Sequence, residues 1–153
     1  MKDRLQTARA SLFLLVILTV VNCALIFFES DLYFLFSATI PYLAIVFGTV
    51  LGAFAENALF MILGVALGVI LLAAYAALAF FAKRYRPCLM IAAVLMIVDT
   101  VVLLLCSFGE NAILSGGIFD ILFHVWVLYD LFRAFFEKPR TEEEEIEAPI
   151  TSA

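Results

Sequence analysis

The sequence predicts an all-α integral membrane protein: a four-helix bundle with an additional broken segment, re-entrant or interfacial. Three observations predict it. First, 66% of the 153 residues are hydrophobic, only 15% are charged, and the mean hydropathy is +1.14. An ordinary soluble domain is about 45–50% apolar and about 25% charged. A chain of this size has too little interior to hide the excess, so much of it must face lipid. Second, apolar runs of spanning length recur between short polar stretches. Third, the lysines and arginines sort to one side of a membrane when four of those runs cross it. Soluble enzymes, nucleic-acid binders, disordered chains and disulfide-stapled domains are thereby excluded.

The elements follow in order. Residues 1–10 are polar and carry Lys2, Arg4 and Arg9. An apolar run from Leu12 to Phe28, interrupted by Thr19 and Asn22, predicts a first span (TM1) over about 10–28. No small-x-small cleavage site follows it, so it reads as a retained helix rather than a signal peptide. Glu29, Ser30 and Asp31 end the run. The uncharged stretch 32–55 is interrupted by Pro41 and Gly48 and is expected not to span. Tyr33, Phe34, Phe36 and Tyr42 suit an interface, and Gly48 and Gly52 offer a close-packing surface. TM2 is expected over 58–82, with Gly64, Gly68, Ala73 and Ala77 as its small residues. The Lys83-Arg84-Tyr85-Arg86-Pro87 turn ends it. TM3 is expected over 88–107 with Asp99 inside, and residues 108–117 form a turn. TM4 covers 118–136 and contains Asp120, His124 and Asp130. Residues 1–137 are thus the transmembrane domain, and 138–153 a disordered acidic cytoplasmic tail.

The count of spans rests on charge. With four, all nine Lys and Arg lie on the cytoplasmic side together with both termini; with five, three lie inside and six outside. The net charge of −5 comes from Glu142 to Glu145 and Glu147 in the tail; without these the chain is neutral. Cys23, Cys88 and Cys106 contain no C-x-x-C and no disulfide framework, and read as buried inert thiols.

The segment Asp31 to Tyr42, DLYFLFSATIPY, resembles one that follows the first helix in small uncharacterised membrane proteins of bacteria. The resemblance covers about the first third of the chain. It implies a multi-pass protein of a bacterial cytoplasmic membrane and adds no activity. Other four-span families do not fit: TM1 carries Asn22 where a small multidrug exporter has a glutamate, and the paired cysteines of a quinone-linked thiol oxidoreductase are missing.

Ionisable groups at membrane depth are functional candidates. At about 1.5 Å per residue, Asp99 and His124 both stand roughly 18 Å from the cytoplasmic ends of their helices, and Asn22 reaches a similar height on TM1. Asp120 and His124, spaced i and i+4, share one face of TM4, and Gly117 on that face admits a close neighbour. Asp130 sits one turn before Arg133 and is expected to pair with it. The candidate proton or substrate site is therefore Asp99, His124, Asp120 and Asn22; a histidine beside carboxylates suits a proton relay or a cation site. One histidine is too few ligands for zinc, and no metal or other cofactor is expected. The expected partner is the lipid bilayer, with another membrane protein or a second copy beside it. The leading function is a small proton- or cation-linked transporter or a subunit of one. An accessory protein binding another membrane protein through its helices is the alternative, and a membrane enzyme on a lipid or quinone comes third, because no enzyme motif supports it.

Overall fold

The computed structural model describes residues 2–28, 36–107 and 118–136. Within them the chain is all-helical, with five helices and no strand: α1 (Lys2–Phe27), α2 (Thr39–Phe54), α3 (Ala58–Phe81), α4 (Pro87–Ser107) and α5 (Ile118–Phe136). The acidic tail, the 108–117 turn with Gly117, and Asp31, Tyr33 and Phe34 lie outside the described residues.

Three helices are long and apolar enough to cross a membrane: Arg4–Phe27, Ala58–Phe81 and Pro87–Ser107. The 19-residue α5 carries Asp120, Asp130 and Arg133, and α2 has only 16 residues. Each long helix hides one narrow stripe and exposes the rest. On α1 the stripe is Ala8, Leu12, Leu15, Thr19 and Asn22; on α3 it is Gly64, Gly68, Leu72, Tyr75 and Ala79. The spacing of three and four residues is that of one helical face. The other faces are bare hydrocarbon: Ile70 and Leu105 are 65% and 68% exposed. In water such a surface would aggregate; in lipid it needs no cover.

One core joins the amino half of α1, the carboxyl halves of α3 and α5, and the amino half of α4. It is built from Leu12, Leu15, Tyr75, Leu89, Met96, Val127 and Leu131. Helix α2 packs chiefly along the first half of α3, as an antiparallel hairpin turned at residues 55–57. Asn57 caps α3, its side chain accepting from the Leu59 amide at 3.0 Å. The hairpin closes on glycine. A Cβ on Gly64 would stand 2.5 Å from the Ala44 carbonyl oxygen and 2.6 Å from Gly48 Cα, closer than real Cβ atoms come. Gly52 faces Met61, and Gly68 faces Ile45 and the Pro41 carbonyl. Helices in lipid associate through such close packing, because hydrocarbon on either side removes the hydrophobic drive.

Several expectations change at this level. Pro41 does not bend α2; it stands in the first turn, and the helix continues unbroken to Phe54. A proline there is harmless, because the amide it lacks would have had no partner within the helix. Ala73 and Ala77 are exposed, so the packed stripe of α3 runs through Leu72, Tyr75 and Ala79 instead. Of the three thiols only Cys23 is buried; Cys88 is half-buried and Cys106 exposed.

Candidate functional site

The site begins with a helix end. The first four amides of a helix have no acceptor inside it, and for α2 these belong to Ala38, Thr39, Ile40 and Pro41. Ala38, the N-cap residue, has an extended backbone and no side-chain oxygen to offer. Other helices supply the acceptors. The Ala38 amide donates to Thr19 Oγ1 of α1 at 2.7 Å. The Thr39 amide donates to Asp99 Oδ2 of α4 at 2.8 Å, and the Ile40 amide to Asp99 Oδ1 at 2.7 Å. Pro41 has no amide hydrogen. Every donor at this helix end is therefore matched, and the Asp99 carboxylate caps α2 from another helix. A negative group at a helix amino terminus is also favoured by the aligned peptide dipoles.

Asp99 is fully buried, and so is His124. The His124 Nε2 lies 2.9 Å from Asp99 Oδ2, and its Nδ1 lies 2.8 Å from the Asp120 carbonyl oxygen one turn back in α5. A carbonyl only accepts, so Nδ1 carries a hydrogen. The contact on Nε2 then needs one more proton, held either by the imidazole or by the carboxylate. The pair is neutral overall in both arrangements.

The Asp120 carboxylate has a different task from the one its spacing suggests. It does not meet His124; its Oδ1 accepts from the Phe36 amide just ahead of α2. Phe36 has φ of 77°, a region that non-glycine residues enter at a cost of roughly 1–3 kcal/mol. Its ring packs on Phe123 with centroids 5.0 Å apart. Two aspartates thus hold the chain at 36–40, one on each side of the Ser37–Ala38 step. Asn22 is buried one turn beyond Thr19 on the same stripe of α1. Among the described residues no buried side-chain nitrogen or oxygen lacks a hydrogen-bond partner. Nor do three His, Cys, Asp or Glu side chains gather there in a group able to hold a metal ion.

Asp130 lies apart from this cluster. It accepts from Ser11 Oγ of α1 at 2.7 Å and joins α5 to α1, whereas Arg133 turns over the Tyr129 ring. The spacing of Asp130 and Arg133 on one helix suggested a pair, but a buried hydroxyl on the neighbouring helix is the closer partner. One contributor, Thr19, stands out in the sequence only as an interruption of TM1; Asp99 is a candidate by its depth, but its capping role is not visible there. The available signal was Thr-Ile-Pro at 39–41, because a proline in third place marks a first helical turn and so an uncapped helix start at Ala38.

Comparison of the chain with protein-family models, with curated proteins and with solved structures finds no match.

Proposed function

We propose that this is a multi-pass protein of a bacterial cytoplasmic membrane, with α1, α3, α4 and α5 as its four spans and both termini cytoplasmic. In this reading α2 is a half-length helix that rises from the middle of the bilayer to the outer face. At 16 residues it is about 24 Å long, short of the roughly 30 Å hydrocarbon core. Non-helical backbone at membrane depth is tolerated only inside protein or beside a wet cavity, and the complete pairing of the α2 amino end meets that demand. The 19 residues of α5 reach about 28 Å. Its Asp120 and Asp130 are turned inward, and Arg133 is exposed in its last turn. That distribution suits a fourth span.

The function we infer is proton- or cation-linked transport, by this chain alone or as a subunit. The observation that carries it is the buried Asp99–His124 contact at 2.9 Å, made by the same carboxylate that accepts from the first amides of a helix. A second proton would leave Asp99 neutral beside a cationic His124. A neutral carboxyl accepts hydrogen bonds more weakly than a carboxylate, by about a factor of two, so the grip on Thr39 and Ile40 loosens. Without a proton between them, the Nε2 lone pair would face a carboxylate, and the contact would open. Both changes bias the position of α2, which is the two-state element a coupled carrier needs.

The test is flux in proteoliposomes under a pH gradient, with Asp99→Asn and His124→Gln compared against the parent. Asp99→Asn gives up one accepted bond, while His124→Gln keeps an amide able to donate to Asp99. Loss of about a hundredfold or more in rate is expected, the size typical of removing a proton-transfer group, with elution from a sizing column unchanged. Full flux in both variants would remove the proton site. The accessory-protein reading has one observation in its favour, the complete internal satisfaction of the buried polar atoms. It requires a fixed partner to co-purify in mild detergent, and recovery of the chain by itself would count against it.

A further inference from the structure

The opposite end of the bundle carries a cleft that the α2 reading does not use. It has a volume of about 610 Å³ and is lined by Arg9, Phe80, Phe81, Lys83, Arg84 and Tyr85. Three of its six residues are cations and none is an acid. Arg9 comes from α1, half-buried, and its Nε donates to the Ala79 carbonyl oxygen at 2.7 Å. That carbonyl belongs to the last turn of α3 and has no acceptor role within the helix. The bond orients the guanidinium and uses one of its five donors. The four hydrogens on the terminal nitrogens meet no other acceptor among the described residues.

Lys83 and Arg84 are exposed in the turn after α3 and form no ion pair among the described residues; Arg84 lies over the Tyr85 ring at 5.7 Å. Next to these cations stand Phe80 and Phe81, 65% and 51% exposed and edge-to-face at 5.5 Å. Concentrated positive charge therefore borders bare aromatic surface at the end of a helix long and apolar enough to span.

We propose that this cleft is a headgroup site for an anionic phospholipid. The phosphate sits among Arg9, Lys83 and Arg84, and an acyl chain runs along Phe80 and Phe81. Arginine suits the phosphate because its planar fork makes two parallel bonds. A general attraction of the basic turn to an anionic leaflet needs no Arg9 and no cleft. A site needs both, and here a cation from α1 closes a basic pocket whose other cations follow α3. Basic pockets between transmembrane helices are the recurring form of such sites.

The experiment is native mass spectrometry of the full chain in neutral detergent, titrated with phosphatidylglycerol, phosphatidylcholine or inorganic phosphate. Phosphatidylglycerol is expected to stay bound under activation that strips phosphatidylcholine. Lys83→Gln with Arg84→Gln should weaken phosphatidylglycerol roughly 25-fold, about fivefold per cation. Both residues are exposed, so folding is preserved. Arg9→Gln should cost at least about fivefold. Arg133→Gln, an exposed cation outside the cleft, should change affinity less than about twofold. Equal retention of the two lipids would overturn the site. So would an Arg133→Gln effect as large as that of the double variant, because the attraction would then be diffuse. Inorganic phosphate binding as tightly as the lipid, with the same dependence on Lys83 and Arg84, would overturn the lipid assignment.

Discussion

At its amino end α2 is held by a hydroxyl and by a carboxylate that an imidazole contacts from behind; further along it is held by bare backbone against α3. The first arrangement draws Thr19 from α1, Asp99 from α4 and His124 from α5 around three amides. The second brings Gly48 onto Gly64 with no polar side chain between them. The difference follows from which backbone groups are already paired. A helix interior satisfies its own amides, so only contact distance remains to be optimised, and glycine gives the shortest. A helix start leaves donors unpaired, and at low dielectric each orphan costs several kcal/mol. Polar side chains therefore gather around the amino end of α2, and glycines where it meets α3.

Variants can break the two halves separately. Asp99→Ala should have the largest effect, about 3–5 kcal/mol, because it strips two amides of their acceptor and leaves His124 without its carboxylate. Unfolding in mixed detergent should report the loss. Hydrogen exchange should rise at residues 38–42 while residues 48–54 stay protected. Unchanged stability would show that α2 does not depend on the carboxylate.

Gly64→Leu should cost about 1–3 kcal/mol or more, the usual range for overpacking, because the backbone of Ala44 and Gly48 cannot move aside as a side chain can. The exchange pattern should be reversed: faster at 45–54, with the amides of Thr39 and Ile40 still slow. A pattern identical to that of Asp99→Ala would mean that α2 opens as one unit and that the two-ended description is wrong.

Thr19→Val keeps the shape of the side chain and removes the acceptor for the Ala38 amide. A loss of about 1 kcal/mol is expected, the scale measured for single hydrogen bonds between membrane helices. In combination with Asp99→Ala the loss should be less than additive, since both side chains hold the same helix end. Strict additivity would indicate that Thr19 and Asp99 act on separate structures.

Much of the helical layout was legible because lipid imposes length and apolarity on any helix that crosses it. The charge-free run at 58–81 and the basic turn after it can be read without coordinates. So can the equal height of Asp99 and His124, since a helix rises by a constant step per residue. Polar contacts were less legible. Asp120 and His124 share a face by spacing, yet the carboxylate turns to the Phe36 amide, which is far away in sequence. Asp130 has Arg133 one turn along, yet it bonds Ser11 of another helix. Spacing on one helix states which residues are near one another; it does not state which acceptor a neighbouring helix lacks.

The sequence alone therefore determined that this chain is helical and apolar on most of its surface, that it carries few ionisable groups within its helices, and that glycines mark the places of close approach. These properties are local: each depends on residues within a few turns. Only the tertiary structure decided that Asp99 caps α2 and that Gly48 meets Gly64. It also set Arg9 at the end of α3. Each of these joins residues from different helices, and the demand that every buried donor find an acceptor can be resolved only when all the helices are in place.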